Sequence, residues 1–225
     1  MTISHQKIGL HVSAAGGVEN APERAQEIGA ECFQFFSRSP RGGSAPEISA
    51  ATAELFKSRC QQYGFASYIH TPYYINFAAP KKDLAANTVK IVREEMERAS
   101  LLGVQYVVTH LGSARDWPGA EKDKTPNGAL KRAIKGLRSV FYGHPDFSAR
   151  LLLEISAGTG HVIGNSFEEL AHIIKGLGKK TMQVCLDTCH MFAAGYDIRT
   201  TAAIDETMAA FRHHLGIEKL KLVHI

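Results

Sequence analysis

The chain has 225 residues, of which 44% are hydrophobic and 21% are charged, and it contains 20 glycines and 8 prolines. These proportions are typical of a globular enzyme and exclude a disordered chain, a collagen-like repeat and a small disulfide-stabilised protein. Lysine and arginine number 26 against 22 aspartates and glutamates, so the net charge of +4 permits an anionic partner but identifies none.

Seven short apolar segments predict the strands of a parallel sheet, because their interiors are apolar almost throughout. They cover residues 8–13, 32–37, 67–70, 106–111, 151–155, 184–187 and 220–225. Between them, apolar residues at helical spacing predict helices over about residues 18–28 and 84–102, which end at Gly29 and Gly103. A third predicted helix begins at Ser166 and stops near Gly176.

This alternation predicts a (β/α)8 barrel of the TIM type, in a single domain that covers residues 1–225. A doubly wound sheet is the alternative, but residues 11–17 (HVSAAGG), which follow the first strand, lack the G-x-G-x-x-G pattern of that fold. The sequence ends at Ile225, in or at the end of the predicted seventh strand. We therefore expect a barrel without its eighth strand and last helix.

Cysteine usage and hydropathy indicate a compartment. The four cysteines, Cys32, Cys60, Cys185 and Cys189, form neither a disulfide framework nor a C-x-x-C motif. No apolar segment approaches the roughly 20 residues of a membrane span, and no signal peptide follows Met1. We expect a cytoplasmic protein that has no membrane partner.

Polar residues occupy the ends of six of the predicted strands. They are His11, His70, His110, Glu154, Asp187 with His190, and His224. The carboxyl ends of barrel strands converge on one mouth, where enzymes of this fold keep their active sites. One such histidine is usually structural, but seven polar residues in the same relative place predict a metal site. Nitrogen and oxygen ligands suit Zn²⁺, with Mn²⁺ or Fe²⁺ as alternatives.

Glu154 is the most informative of these residues. It follows three leucines, so an ionised carboxylate at this point must be paired or bound to a metal. An ion pair with a lysine of the barrel is the structural alternative. A carboxylate can also bridge two cations, and paired metal ions are how phosphatases and nucleases clamp the oxygens of an in-line displacement.

Five segments resemble the endonuclease IV family, the metal-dependent apurinic/apyrimidinic endonucleases of DNA base-excision repair. They are residues 9–17 (GLHVSAAGG), 70–76 (HTPYYIN), 109–113 (THLGS), 153–158 (LEISAG) and 185–197 (CLDTCHMFAAGYD). The last segment is the most specific, and the resemblance extends from residue 8 to residue 224.

The resemblance implies a xylose-isomerase-like TIM barrel with three zinc ions. By motif, His70, His110 and Glu154 would hold the first ion, and Glu154 would bridge to a second. Asp187 and His224 would also bind the second ion, and His190 would belong to the third. The remaining ligands of the family lie in segments that follow residue 225, so only the first of the three sites would be complete in this sequence.

The resemblance also implies contacts with DNA. Arg41 would enter the minor groove at the lesion, and Tyr73 would help to hold the abasic nucleotide out of the duplex. A solvated loop cation and a packed ring are the structural alternatives for these two residues. Arg38, Lys81 and Lys82 are further candidates for phosphate contacts.

Two positions depart from the family pattern. The family commonly has a Gln-Trp pair where this chain has Gly42 and Gly43, so we expect part of the wedge that enters DNA to be absent. Ile155 replaces the asparagine that usually follows the bridging glutamate, which we interpret as the loss of a polar side chain behind the metal site.

The resemblance implies a zinc-dependent hydrolase that acts as a monomer on double-stranded DNA with abasic sites. It would cut the phosphodiester on the 5′ side of the site, with Glu154 as the catalytic residue that orients the attacking water. A metal-dependent sugar isomerase or epimerase of the same barrel type is the rival enzyme. A third interpretation is a non-catalytic, zinc-binding fragment that grips damaged DNA without cutting it.

Overall fold

The computed structural model describes residues 6–114, 126–143, 147–178 and 182–225. Seven parallel strands in these residues form one sheet, and each strand pairs with the next one along the chain. The strands are β1 (Gly9–His11), β2 (Cys32–Phe35), β3 (Ala66–His70), β4 (Tyr106–Thr109), β5 (Arg150–Glu154), β6 (Gln183–Asp187) and β7 (Leu220–His224). This is the predicted (β/α) barrel with seven strands, in which β1 and β7 are the edge strands of the part that the structure describes.

In the described part of the chain, seven α-helices connect and cover the strands. They are α1 (Ala21–Glu27), α2 (Ala50–Tyr63), α3 (Lys82–Leu102), α4 (Pro126–Phe141), α5 (Phe167–Leu177), α6 (Thr188–Ala193) and α7 (Thr201–His214). Among the described helices, none has both the length and the apolar composition that crossing a membrane would require.

Local capping explains most helix ends. The Ser166 side chain accepts a hydrogen bond from the Glu169 backbone at the start of α5, and left-handed Gly103 ends α3, as predicted. The predicted stop near Gly176 is confirmed to within one residue, since α5 ends at Leu177 and left-handed Gly178 caps it. Gly176 lies inside the helix, where a Cβ atom would come within 2.6 Å of Ile134 Cδ1 on α4. Close packing of two helices therefore explains this glycine.

The two faces of the sheet bury different side chains, because successive residues of a strand point to opposite faces. Outward residues such as Val107, Leu153 and Val184 pack in the main core, among side chains of the helices. Inward residues form a smaller cluster of Val108, Leu152 and Cys185, with Tyr68, Tyr106 and Leu222 against it. This inner cluster lies directly below the polar ends of the strands.

Candidate metal centre

The polar residue at the end of each of these strands points inward, two residues after an inward-facing residue of the same strand. Glu154 follows Leu152 by two residues, Asp187 follows Cys185, and His224 follows Leu222. The same period places His70 above Tyr68 and His110 above Val108. The strand register therefore brings one polar layer together on top of an apolar layer.

Glu154 is at the centre of this layer and is 1% exposed. Its Oε2 lies 3.1 Å from His70 Nε2 and 3.7 Å from His110 Nε2. Its Oε1 lies 3.2 Å from His190 Nδ1 and 3.2 Å from His224 Nδ1. The four imidazoles surround one buried carboxylate, with no lysine among these partners. The structural alternative of an ion pair with a barrel lysine is therefore not what the structure shows.

These contacts decide the charge of Glu154. Burial by itself raises the pKa of a carboxyl group, but hydrogen bonds with His190, His224 and His70 outweigh it and bring the pKa of Glu154 well below its usual value. Burial also lowers the pKa of His110, whereas the hydrogen bond with Glu154 raises the pKa of His190. The centre therefore holds a carboxylate with unprotonated oxygens.

Two histidines are oriented by backbone carbonyls. His70 Nδ1 donates to the carbonyl oxygen of Thr71 at 2.6 Å, which leaves Nε2 turned to Glu154. His190 Nδ1 lies 3.0 Å from the carbonyl oxygen of Ile155. Hydrogen bonds of this kind fix the ring and the tautomer of metal-binding histidines in other proteins.

Three groups of side chains in the described residues have the geometry to hold a metal ion, and Glu154 belongs to all of them. The groups are His70 with His110 and Glu154, Glu154 with Asp187 and His190, and Glu154 with Cys185 and His224. The first group matches the first ligand set that the resemblance implied. Asp187 lies with His190 in the second group, and its Oδ2 is also 3.8 Å from His224 Nδ1.

His190 reaches the centre from a helix, so the prediction that it lies at the end of strand six is wrong. It lies in the first turn of α6, where its backbone N–H donates to Asp187 Oδ1 at 2.7 Å. Asp187 thus caps the helix that carries His190, and this short connection holds the two side chains next to each other.

Comparisons with known proteins show the family to which this chain belongs. A family model described as a xylose isomerase-like TIM barrel matches residues 22–225. A probable endonuclease 4 of Nitrosopumilus maritimus is 38% identical over 223 residues, which cover 97% of this chain and 77% of that protein. A probable endonuclease 4 of Methanosphaerula palustris is also 38% identical, over 97% of this chain and 76% of the relative. The chain belongs to the endonuclease IV family.

The solved structures agree with this membership. Endonuclease IV from Thermus thermophilus superposes with a TM-score of 0.84 at 34% identity, over 97% of this chain and 76% of that one. A D-tagatose 3-epimerase-like protein also superposes, with a TM-score of 0.73 and 19% identity, over 97% of this chain and 76% of that one. At that identity the second likeness shows a shared barrel fold and carries no information on activity.

The two candidate DNA-contacting residues, Tyr73 and Arg41, lie in different surroundings. Tyr73 is 65% exposed and adjoins the centre, with its ring centroid 5.3 Å from that of Phe36 and 6.3 Å from that of His70. Arg41 is exposed on the loop after β2, where its backbone N–H donates to Ser39 Oγ at 3.3 Å. Tyr73 therefore stands beside the histidines, whereas Arg41 is held in its loop by a local hydrogen bond.

Gly42 and Gly43, which follow Arg41, have φ angles of 124° and 96°. Residues with a Cβ atom rarely adopt such angles, so glycine suits the backbone at these two positions, where the family commonly has Gln-Trp.

Two expectations about neighbouring residues are wrong. Arg38 is 6% exposed and bound to Glu94 and Glu95, so it is not available for a phosphate contact. Ile155 is fully buried and packs in the outer core, on the opposite face of the sheet from Glu154. Only its carbonyl oxygen contributes to the centre, so the loss of asparagine at this position removes no side chain from the metal ligands.

Sequence reasoning missed Cys185 and Gln34. Cys185 is buried below Asp187, and burial followed by the negative charges of Glu154 and Asp187 raises the pKa of its thiol well above the usual value. Gln34 lies between two histidines, with its amide nitrogen 3.1 Å from His11 Nδ1 and its amide oxygen 3.0 Å from His224 Nε2. The period of two along β6 and β2 was the signal that could have found both.

Proposed function

We propose that this chain is a metal-dependent endonuclease that cuts double-stranded DNA at abasic sites. It hydrolyses the phosphodiester on the 5′ side of the site and leaves a 3′-hydroxyl and a 5′-deoxyribose phosphate. One observation carries the proposal: a buried, ionised Glu154 has four imidazoles around it at the mouth of an endonuclease IV barrel.

The donor set fits zinc. Imidazole nitrogens and carboxylate oxygens are ligands that Zn²⁺ accepts, whereas Mg²⁺ and Ca²⁺ favour oxygen alone. A carboxylate that is 1% exposed needs a permanent cationic partner, and each group of possible ligands places that partner at Glu154. We propose Zn²⁺ as the resident ion, with Mn²⁺ and Fe²⁺ as the alternatives that metal reconstitution distinguishes.

The proposed ligands have separate roles. His70, His110 and Glu154 would hold one ion. Glu154 would also bind a second ion with Asp187 and His224, whose Oδ2 and Nδ1 atoms lie 3.8 Å apart, and His190, which lies beside Asp187, would belong to a third. A metal ion at such a site makes water a nucleophile near neutral pH and offsets the charge of the phosphodiester. Glu154 is the catalytic residue in this proposal, because its ionised oxygens can also accept a hydrogen bond from the attacking water molecule and so orient it.

The nearby aromatic and cationic side chains would hold the substrate. Tyr73 and Phe36 form an aromatic surface beside His70. The sugar of an extruded abasic nucleotide, which carries no base, would pack against this surface. His11 and Phe36 also line a cavity of about 880 Å³ next to the centre. Arg41 would approach the minor groove from its exposed loop, where its charge attracts the DNA backbone.

Strand scission tests this proposal. The substrate is a duplex with a single tetrahydrofuran abasic analogue, incubated with the zinc-loaded chain, and the cut is mapped from both strand ends. We expect one incision on the 5′ side of the analogue. In Glu154→Gln the rate should fall by roughly 100-fold or more, since metal ions contribute several kcal/mol to such reactions.

The matched control is Glu54→Gln on α2. The Glu54 side chain is 73% exposed, so this variant should cut at the unaltered rate. Binding of the abasic duplex without any incision would support the non-catalytic alternative. Conversion of a ketose or a phosphosugar to its epimer, without incision, would support the sugar isomerase or epimerase. Equal rates in Glu154→Gln and in the unaltered chain would contradict the role of the centre.

We also propose that the chain acts as a monomer in the cytoplasm. All four cysteines are free, which suits a reducing compartment. Size-exclusion chromatography with light scattering should give the mass of one chain. A mass twice as large would contradict the proposed monomer.

A further inference from the structure

Gln34 connects two distant parts of the barrel mouth. It lies on β2, and its amide group stands between His11 of β1 and His224 of β7. The contact with His224 joins residues that are 190 positions apart in the chain. His224 lies on an edge strand of the described sheet, so the neighbouring strands alone do not fix its ring.

The two hydrogen bonds of Gln34 have a defined direction. An amide oxygen only accepts and an amide nitrogen only donates. Gln34 Nε2 donates to His11 Nδ1 at 3.1 Å, and Gln34 Oε1 accepts from His224 Nε2 at 3.0 Å. Desolvation, followed by repulsion from His70 and His224, lowers the pKa of His11 to about 4, so the His11 ring is neutral and its Nδ1 is an acceptor.

This direction determines which nitrogen of His224 is turned to the centre. Since Nε2 carries the proton that Gln34 Oε1 accepts, Nδ1 is the atom that faces the carboxylates. It lies 3.2 Å from Glu154 Oε1 and 3.8 Å from Asp187 Oδ2. His11 sets the orientation of the Gln34 amide, and the amide in turn sets the orientation of the imidazole.

We propose that Gln34 is a positioning residue of the metal centre, which holds His224 with Nδ1 as its metal-binding atom, and that His11 fixes the amide of Gln34 for this task. This inference rests on the proposed function, because it takes His224 as a ligand. It explains a polar pair, His11 and Gln34, that does not itself reach Glu154.

Zinc affinity of the full chain tests the inference, measured by competition with a chromophoric chelator. We expect Gln34→Leu to bind zinc roughly 10- to 100-fold more weakly at the site that contains His224, the usual effect of removing such a partner. Gln34→Glu should bind at least as tightly as the unaltered chain, since a carboxylate accepts from His224 Nε2 more strongly than an amide. Gln61→Leu, an exposed glutamine on α2, is the matched control and should have no effect.

A second measurement does not depend on metal. Nitrogen-15 spectra of the histidine rings in the metal-free protein should show a proton on His224 Nε2, and this signal should change in Gln34→Leu. In Gln34→Glu the proton of His11 should move to Nδ1, because a carboxylate cannot donate to that atom. A merely structural role for Gln34 would alter neither ring in this specific way.

The outcomes separate the inference from the proposed function. If the unaltered chain binds zinc and cuts DNA, but Gln34→Leu keeps both its zinc affinity and the His224 spectrum, the inference alone is overturned. If the unaltered chain binds none of Zn²⁺, Mn²⁺ and Fe²⁺, the proposed function and the inference are both overturned. If Gln34→Leu does not fold, the choice rests on Gln34→Glu, whose loss of zinc affinity in a folded protein would overturn the inference.

Discussion

Glu154 and Ile155 are adjacent in the sequence and face opposite environments. The carboxylate of Glu154 points into the polar layer, whereas the side chain of Ile155 is fully buried in the outer core among the helices. Because neighbouring residues of a strand point to opposite faces, a substitution at Ile155 acts on packing and not on the ligands of the centre.

Ile155→Asn should therefore destabilise the fold without weakening zinc binding. The change removes apolar packing and buries an amide without partners, so we expect the free energy of unfolding to fall by about 3 kcal/mol or more. Ile155→Val is the control, with an expected loss of about 1 kcal/mol. Urea unfolding measures both, and a fall in zinc affinity of the folded Ile155→Asn protein would contradict this account.

The loop after β2 is fastened to α3 by a buried ionic cluster. Glu95 is fully buried, accepts a hydrogen bond from Ser37 Oγ at 2.5 Å and is ion-paired with Arg38. Arg98 donates to Ser37 Oγ at 2.7 Å and to the Pro46 carbonyl oxygen at 2.7 Å. This cluster connects the segment that precedes Arg41 to the longest of the described helices.

Removing one partner of a buried ion pair leaves an uncompensated charge. We expect Glu95→Gln to lower the free energy of unfolding by about 3 kcal/mol, with Glu94 still in contact with Arg38. Glu97→Gln, at an exposed position of the same helix, should change it by less than about 0.5 kcal/mol. Thermal and urea unfolding compare the two variants. Equal stability of both would show that the cluster does not hold this loop.

The polar ends of the strands could be predicted from the sequence because alternation and the barrel mouth follow from local rules. Glu154 and His224 lie where the period of two places them. The role of Arg38 could not be predicted, since its partner Glu95 is 57 positions away and only tertiary packing brings them together. The same holds for Gln34, whose contact with His224 depends on the curvature of the whole sheet. The role of a glycine could not be predicted from its position in the sequence alone. Gly103 ends a helix, whereas Gly176 lies within one and permits two helices to pack closely.

At the scale of the whole molecule, the net charge of +4 is small for the DNA-binding protein that we propose. Local cations near the mouth should therefore contribute more to DNA binding than the overall charge does. Arg38 is already paired, which leaves Arg41 as the exposed arginine of the loop after β2.

Arg41→Ala should reduce the salt dependence of DNA binding. In the Glu154→Gln background, which keeps the duplex uncut, the slope of log affinity against log salt should become shallower by about 1. Lys90→Ala on the outer helix α3, where the side chain is 73% exposed, is the matched control and should leave the slope unchanged. If Glu154→Gln has the same slope with and without Arg41→Ala, the proposed contact between Arg41 and DNA is contradicted.

Removal and return of the metal is the most direct test of the central claim, that the cluster around Glu154 is a metal-dependent nuclease site. The chain is treated with a chelator, dialysed until no zinc remains by elemental analysis, and assayed for incision of the abasic duplex before and after zinc is added. The account predicts that incision disappears with the metal and returns with zinc in the unaltered chain, but not in Glu154→Gln. Incision at the full rate by the metal-free chain would contradict it.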